Sequence, residues 1–503
     1  MIGFLLHARA ARRVRALGRS AADAQRATLR RLLRRAARTR FGEAHGFRAI
    51  RTPEEFRVRV PAQDYASLLP YFERARDGAR DEVWPGAPVV FAMTSGTTGG
   101  NKFLPHTKAS LRSAMAGSGD ALSAYVSRAR DFRLLSGRIA FLGGSLALER
   151  FASGMPWGDN TGILAGREPL WVRPFRSPSS KVLAMPGWEE RLAAAARELA
   201  GVSVRLLLGV PSWTLLLIDA VEREAGASIR DVWPRWSGFI HGGMAFAPYA
   251  DTYRRRAGAG IVYVDTYSAT EGGMLAVQDR DGDPSMALLP DRGVYFEFAR
   301  ADEPEGPRVG VHEVETDIPY LVHVTTEQGL WAYRIGDIVR FTSVDPPRLV
   351  LAGRQRSFLN AFGEHVSEEE MDRAIAGSAR ENGGEAREYA VLPEYPDHRR
   401  SKGRHLWLVE FQRPPYSLDR FAAALDATLA SGNDDYRTHR AGNAQLEAPR
   451  VRLLPQGAFY AWMRRRNQLG GQHKVPRVLD ATLAGTLLGE AAGEGGGGPE
   501  WRS

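Results

Sequence analysis

The chain has 503 residues, with 68 Lys+Arg against 58 Asp+Glu and a formal net charge of +10. Hydrophobic residues at 44% and charged residues at 25% exclude a disordered or collagen-like chain, and the length leaves room for roughly two to four domains. The absence of cysteine excludes a disulfide scaffold, a thiolate metal site and a catalytic thiol.

A pI near 9.9 points at first to nucleic acid or an anionic membrane surface. Residues 1–50, however, hold thirteen Arg, no Lys and only two acids, Asp23 and Glu43. Beyond them stand 55 basic and 56 acidic residues, so the body of the chain is neutral. Only five basic residues are lysines: Lys102, Lys108, Lys181, Lys402 and Lys474. Each of them therefore merits a reason.

The apolar start, Met1 to Leu6, is too short for a signal segment or a membrane span. The longest later candidate, Leu206 to Ala220, is broken by Gly209, Pro211, Ser212 and Asp219. The expectation is a cytoplasmic protein without integral membrane association. Residues 20–40 read as a helix with Leu29, Leu32, Leu33 and Ala36 on one face and arginines on the other. A solvated arginine face on a helix packed by its leucines is the favoured reading of this Arg-rich lead-in, residues 1–48. Binding of nucleic acid or lipid headgroups through that helix is the remote alternative.

From about residue 87 the texture is mixed α/β. Short β-branched runs at 89–91, 261–264 and 321–326 alternate with helical stretches such as 189–199. Residues 349–353 read as a strand entering a turn, and Ser367 with Glu370 forms a capping box that opens a helix through Ala376. The spacing predicts layered sheets and helices over residues 1–355, then a smaller α+β domain over 356–488. A disordered Gly-rich tail is expected over 489–503.

Three segments carry chemistry. The first is Met93-Thr94-Ser95-Gly96-Thr97-Thr98-Gly99-Gly100-Asn101-Lys102, directly after a strand. Its glycines let backbone N–H groups converge on an anion, its hydroxyls add donors, and the ammonium neutralises charge. It departs from the Walker A pattern, because Asn101 replaces the second glycine and Phe103 follows the lysine. The second is Tyr267-Ser268-Ala269-Thr270-Glu271-Gly272, read as following the strand at 261–264; its carboxylate suits a divalent cation on phosphates. The third runs from Gly329 through Tyr333 to Asp337, behind a hairpin over Glu327-Gln328-Gly329. Asp337, at a Gly-Asp turn, suits a pair of ribose hydroxyls. Neither Gly-x-Ser-x-Gly nor His-Glu-x-x-His occurs, which argues against a serine hydrolase and a zinc peptidase.

In this order and spacing, the three segments resemble the nucleotide motifs of the acyl-adenylate-forming superfamily. More specifically, the chain is similar to its auxin-responsive acyl-acid amido synthetase branch. Arg38 to Gly42, Leu208 to Trp213, His241 to Met244, Tyr295 to Phe298, Gly363 to His365 and Gly471 to Arg477 extend the likeness across residues 20–480. The resemblance implies ATP and Mg²⁺, a small carboxylic acid, and an amine that is an amino acid, with no nucleic acid. A thioester-forming acyl-CoA synthetase of the same superfamily is the alternative.

By that resemblance, Thr94, Ser95, Gly96, Thr97, Thr98, Gly99 and Lys102 would cradle the ATP phosphates. Gly242 and Gly243 would admit adenine, and Tyr267 would stack on it. Ser268 and Ala269 would line the nucleotide, Thr270 would approach the α-phosphate, and Glu271 would hold Mg²⁺. Asp337 would take the ribose, Arg354 would reach ribose or phosphate, and Lys474 would meet the developing negative charge. Lys474, Glu271 and Lys102 are thus the expected catalytic residues. Val210, Trp213, Leu217 and Met244 would line the acyl-acid pocket. Asn433, Tyr436 and Arg440 match a pattern near the surface of the family's C-terminal domain, where contact with substrate is an open alternative. One departure is Arg356, which stands where many superfamily members carry an acidic hinge residue.

Overall fold

The computed structural model describes residues 21–95, 101–130, 134–170, 172–244, 246–354, 366–395, 402–440, 446–469 and 474–493, with Leu359, Ala361, Phe362 and Glu364. Two compact units emerge, one within Met1–Phe246 and Thr252–Leu351, the other within Ala247–Asp251, Ala352–Leu469 and His473–Ser503.

In the first unit, β1 (Val90–Ser95) and β2 (Asn101–His106) pair as an antiparallel hairpin that sets Thr94 opposite Lys102. Next come β3 (Arg138–Phe141), β4 (Glu149–Arg150), β5 (Pro156–Asp159), β6 (Arg176–Ser177) and β7 (Val204–Gly209). They are followed by β8 (Gly238–Gly242), β9 (Val262–Ala269), β10 (Gly273–Val277) and β11 (Met286–Leu288). The remainder are β12 (Val294–Arg300), β13 (Val309–Gly310), β14 (Pro319–Thr326), β15 (Tyr333–Val344) and β16 (Pro347–Arg354).

Among the described residues a small sheet has the order β2-β1-β5-β4. A twelve-stranded sheet runs β13-β12-β14-β15-β16-β11-β10-β9-β8-β7-β3-β6. Its β6-β3-β7-β8-β9 portion is parallel, while β9-β10-β11-β16 and β13-β12-β14-β15 are antiparallel. Helices cover the parallel portion, as parallel sheets require. The helix Lys108–Ala129, opened by a Thr107/Ser110 capping box, buries Ala121, Tyr125 and Val126 against Leu206, Ile240 and Val264.

The helix Ala21–Ala36 carries the arginine-rich sequence and packs as its leucine spacing predicts. Leu29, Leu32 and Leu33 join the core with Phe296, Val322 and Val324. Gln25 is buried beside them and saturates both ends of its amide. Its Nε2 donates to the carbonyls of Pro290 (2.6 Å) and Val294 (2.9 Å), and its Oε1 accepts from the Phe296 N–H at 2.7 Å.

In the second unit, β17 (Glu385–Glu394), β18 (Arg404–Arg413) and β19 (Arg450–Leu454) form a sheet with apolar side chains on both faces. Tyr389, Val391, Trp407 and Val409 face the helices Glu368–Glu381 and Leu418–Gly432. Ala390, Leu406 and Leu408 face the helices Ala458–Arg465 and Ala481–Gly493. The alternation is the period of two of a strand covered on both sides.

Four elements differ from the expectations. The strand expected at 261–264 runs on to Ala269, because Ser268 and Ala269 pair with Met274 and Gly273 of β10. Tyr267, Ser268 and Ala269 therefore lie on β9, and the turn is reduced to Thr270-Glu271-Gly272. Asp337 lies inside β15 at a bulge, not at a turn: Leu321 pairs with Ile338 while His323 pairs with Arg334, and Gly336 takes φ +90°. The capping box at Ser367 and Glu370 forms as predicted, but its helix continues past Ala376 to Glu381. Residues 489–493, expected as disordered tail, finish the helix Ala481–Gly493, where buried Glu490 pairs with Arg465 at 2.7 Å. Residues 494–503 lie outside the described residues.

Candidate nucleotide site

In open α/β sheets, ligands bind beyond the carboxyl ends of parallel strands. Here those ends are His241-Gly242 on β8 and Ala269 on β9, followed by the Thr270-Glu271-Gly272 turn. Gly242 pairs with Thr266, and a Cβ on Gly242 would lie inside the van der Waals envelope of the Thr266 carbonyl and hydroxyl oxygens. Gly243 takes φ +85°, which L side chains resist. The Thr266 hydroxyl donates to the His241 carbonyl at 2.7 Å, which fixes the spacing of the two strand ends.

A buried polar network ties three chain segments together. The Gln328 Nε2 donates to the Thr270 carbonyl at 2.8 Å and reaches His106 Nδ1 at 3.0 Å. His106 Nε2 contacts Asn160 Oδ1 at 2.9 Å. Burial pushes the His106 imidazole down to about 4, so at neutral pH the ring is uncharged. With Nδ1 accepting from Gln328, the ring proton sits on Nε2 and is donated to Asn160. The network thus links β2, which carries Lys102, to the acidic turn at Thr270-Glu271 and to the β14–β15 connection.

Around Tyr333 the charged groups gather. Burial raises its phenol well above the usual range, and the Glu271 and Asp64 carboxylates add to the shift. Gln63 joins the start of β15, its N–H donating to the Ala332 carbonyl at 3.0 Å and its carbonyl accepting from the Arg334 N–H at 2.9 Å. That addition sets Asp64 and Tyr65 beside Tyr333. The Lys102 ammonium stands 5.6 Å from the centre of the Tyr65 ring, and the Tyr65 hydroxyl accepts from the Phe103 N–H at 3.0 Å. Lys102 and Glu271 therefore approach one pair of tyrosines from different segments. A short distance along β15, the Tyr267 hydroxyl donates to Asp337 Oδ2 at 2.9 Å, with both side chains buried.

Glu271 supplies a carboxylate, and among the described residues no group of three or more His, Asp or Glu side chains could hold a metal. That donor set fits Mg²⁺, which takes one or two carboxylates and fills its octahedron with phosphate oxygens and water. It does not fit a tightly held all-protein metal centre.

The structure places the other expected residues as follows. Thr94 lies on β1, while Gly96, Thr97, Thr98 and Gly99 and the side chain of Ser95 lie outside the described residues. Val210 immediately precedes the helix Pro211–Ala225. Trp213, within that helix, packs edge-on against Trp188 at 5.1 Å. Leu217 is wholly buried and Met244 half-buried. Arg354 ends β16 and, with Lys474, belongs to the second unit; the Arg354 side chain and Arg356 lie outside the described residues. Lys474 is exposed.

Asn433, Tyr436 and Arg440 hold the second unit together. Asn433 Nδ2 donates to Glu370 at 3.1 Å, the Tyr436 hydroxyl donates to Asp426 at 2.8 Å, and Arg440 Nε donates to Asp426 at 2.7 Å. Sequence reasoning did not single out His106, Asn160, Gln328, Asp64 or Tyr65. Their partners lie as many as 222 residues away, and no local spacing signals them.

The residues match three family models: the GH3 family N-terminal domain over residues 10–197, the central domain over 287–354 and the C-terminal domain over 369–482. A probable indole-3-acetic acid-amido synthetase of Oryza sativa subsp. japonica is 25% identical over 93% of both chains. A jasmonoyl–L-amino acid synthetase of the same plant is 23% identical over 94% of both. In fold, the chain superposes on the GH3.15 acyl acid amido synthetase in complex with 2,4-DB with a TM-score of 0.80, 17% identity and 96% of each chain covered. A 2-hydroxyisobutyryl-CoA ligase gives a TM-score of 0.59 at 16% identity, covering 93% of this chain and 92% of that one. With its N-terminal, central and C-terminal portions each matched in order, the chain belongs to the GH3 family.

Proposed function

We propose that the protein is an ATP-dependent acyl-acid amido synthetase, which joins a small carboxylic acid to the amino group of an amino acid. The observation that carries this reading is the convergence of Lys102, Glu271 and the Tyr267–Asp337 pair, on segments held by the His106–Gln328–Thr270 network. A cation, a carboxylate at the turn after β9 and an oriented buried carboxylate are what a magnesium nucleotide needs. The amino-acid acceptor is suggested by the relative named as a jasmonoyl–L-amino acid synthetase. A cytoplasmic setting, where ATP is available, belongs to the same reading.

A free carboxylate is a poor electrophile, so it is first activated. One carboxylate oxygen forms a bond to the α-phosphorus of ATP, the bond from that phosphorus to the bridging oxygen breaks, and pyrophosphate leaves. The amine nitrogen then bonds to the acyl carbon, the carbon–oxygen bond to AMP breaks, and the amine gives up a proton. The first step brings two anions together, so its barrier is lowered by fixed positive charge and by orientation. Lys102 neutralises phosphate charge beside β1. Glu271 would hold Mg²⁺, which supplies charge neutralisation on the phosphates when bound. Tyr267 orients Asp337 toward the ribose hydroxyls, and Gly242 and Gly243 leave space for the base. Lys474 stabilises the charge that develops at phosphorus.

Pyrophosphate release measured against a panel of aryl, indolyl and aliphatic acids, without coenzyme A, tests the reading. Release that depends on the acid, with an amide of the expected mass when amino acids are added, is the expected result. Discharge of the adenylate by coenzyme A alone, or no acid-dependent release across the panel, would overturn it.

A further inference from the structure

Three residues beyond Lys474 stands Arg477, whose side chain is only 5% exposed. A buried guanidinium is costly unless it is paired and hydrogen-bonded. Here it is caged. Its NH1 bonds the Glu388 carboxylate and donates to the Tyr389 carbonyl at 2.9 Å. Its Nε lies 3.7 Å from Asp372 Oδ1 and 3.9 Å from Glu368 Oε1, and its Cζ stands 4.2 Å over the Tyr389 ring. The cage is itself braced. The Tyr389 hydroxyl donates to Asp372 at 2.7 Å, and the Tyr249 hydroxyl donates to Glu388 Oε2 at 3.3 Å. All of these residues belong to the second unit.

The backbone at this point is fixed too. The Val391 N–H donates to the Arg477 carbonyl at 2.7 Å, and the Leu479 N–H donates to the Val391 carbonyl at 2.8 Å. Val478 thus bridges to Val391 as a short parallel addition to β17. The chain is anchored from Arg477 onward, and an extended chain covers about 3.3–3.6 Å per residue. The Lys474 backbone is consequently tethered within about 11 Å of the anchored Arg477 backbone.

Resting on the reading of Lys474 as catalytic, we propose that Arg477 is a positioning residue: its cage of Glu388, Asp372, Glu368 and Tyr389, braced by Tyr249, fixes the segment that carries Lys474 for its part in the adenylation step. A planar fork that bonds a carboxylate and stacks on a ring is a task for arginine and not for lysine. This accounts for the two different cations that stand three residues apart. A displacement of about 1 Å at a reacting group costs on the order of 10²-fold in rate, so a loosened anchor is felt at the chemistry.

A double-mutant cycle of Arg477→Lys and Lys474→Ala, read as acid-dependent pyrophosphate release per folded molecule, tests the proposal. Arg477→Lys is expected to lower kcat about tenfold or more while the KM for ATP changes less than about twofold, and to cost nothing further in the Lys474→Ala background. A loss that persists in full on that background, or an unchanged kcat, would overturn it. A Lys474→Ala protein as active as the parent would overturn the catalytic reading of Lys474 instead, so the two failures are distinct. Should Arg477→Lys fail to fold, Tyr249→Phe enters the same cycle with the same two outcomes.

Discussion

Asp337 and Tyr267 show how a single hydrogen bond can decide what a carboxylate is for. The 2.9 Å bond from the Tyr267 hydroxyl helps to orient the buried Asp337 carboxylate. Bonds to a charged acceptor contribute about 1.5–3 kcal/mol. Tyr267→Phe is therefore expected to raise the apparent ATP KM about tenfold and to lower the melting midpoint by a few degrees, and Asp337→Ala to raise the KM further. Pyrophosphate release titrated against ATP checks both, and an unaltered KM in Asp337→Ala would remove the ribose role. Both residues stood out in the sequence, but their contact did not. It depends on the bulge around Gly336, where β15 carries extra residues against β14, and a bulge has no side-chain period to betray it. His106 and Gln328 were less legible still. A buried amide and a neutral imidazole are spelled like any surface pair until the partners are brought together across 222 positions.

At the scale of elements, legibility followed the locality of the cause. The Ser367 capping box lies within four residues and was readable from the sequence, whereas the helix runs past Ala376 with Ala379 packed in the second unit's core and closes only at Gly383, which takes φ +68°. The second half of β9 was hidden because Thr266, Tyr267 and Ser268 look like a polar turn; the partner strand β10 makes them a ladder. The same pairing logic makes Gly242 a demanding position. Gly242→Ala must push the end of β8 away from Thr266, and overpacking of this kind costs about 1–3 kcal/mol. The expected result is a lower urea midpoint together with weakened ATP-dependent pyrophosphate release. A variant that keeps both values would show that the strand ends have slack.

On the scale of the whole molecule, acid should weaken the first unit. His323 is buried, and burial, with Arg308 and Arg334 nearby, pushes its imidazole down to about 3. Its folded value lies below the unfolded value near 6.5, so the unfolded chain binds the proton first. The stability is complete above about pH 6.5 and drains away as pH falls toward 3. Between pH 7 and 4.5 this amounts to about 2–3 kcal/mol. His323→Leu is expected to lose less stability over that interval in urea unfolding, and an identical pH slope would rule the histidine out as the source.

The basic lead-in, which dominates the pI, has a different standing in the fold. Arg30, Arg34, Arg35 and Arg38 point to solvent, whereas neutral Gln25 holds three backbone groups of the sheet. Under mutation and drift the two kinds of position should part company. The arginines can be exchanged, diluted or lost while the helix keeps its register, but Gln25 has no substitute that both donates twice and accepts once at that length. Exchanging Arg30, Arg34, Arg35 and Arg38 for neutral residues would remove four charges and leave the helix in register, so the isoelectric point reports the solvent face of this helix and not the chemistry of the site.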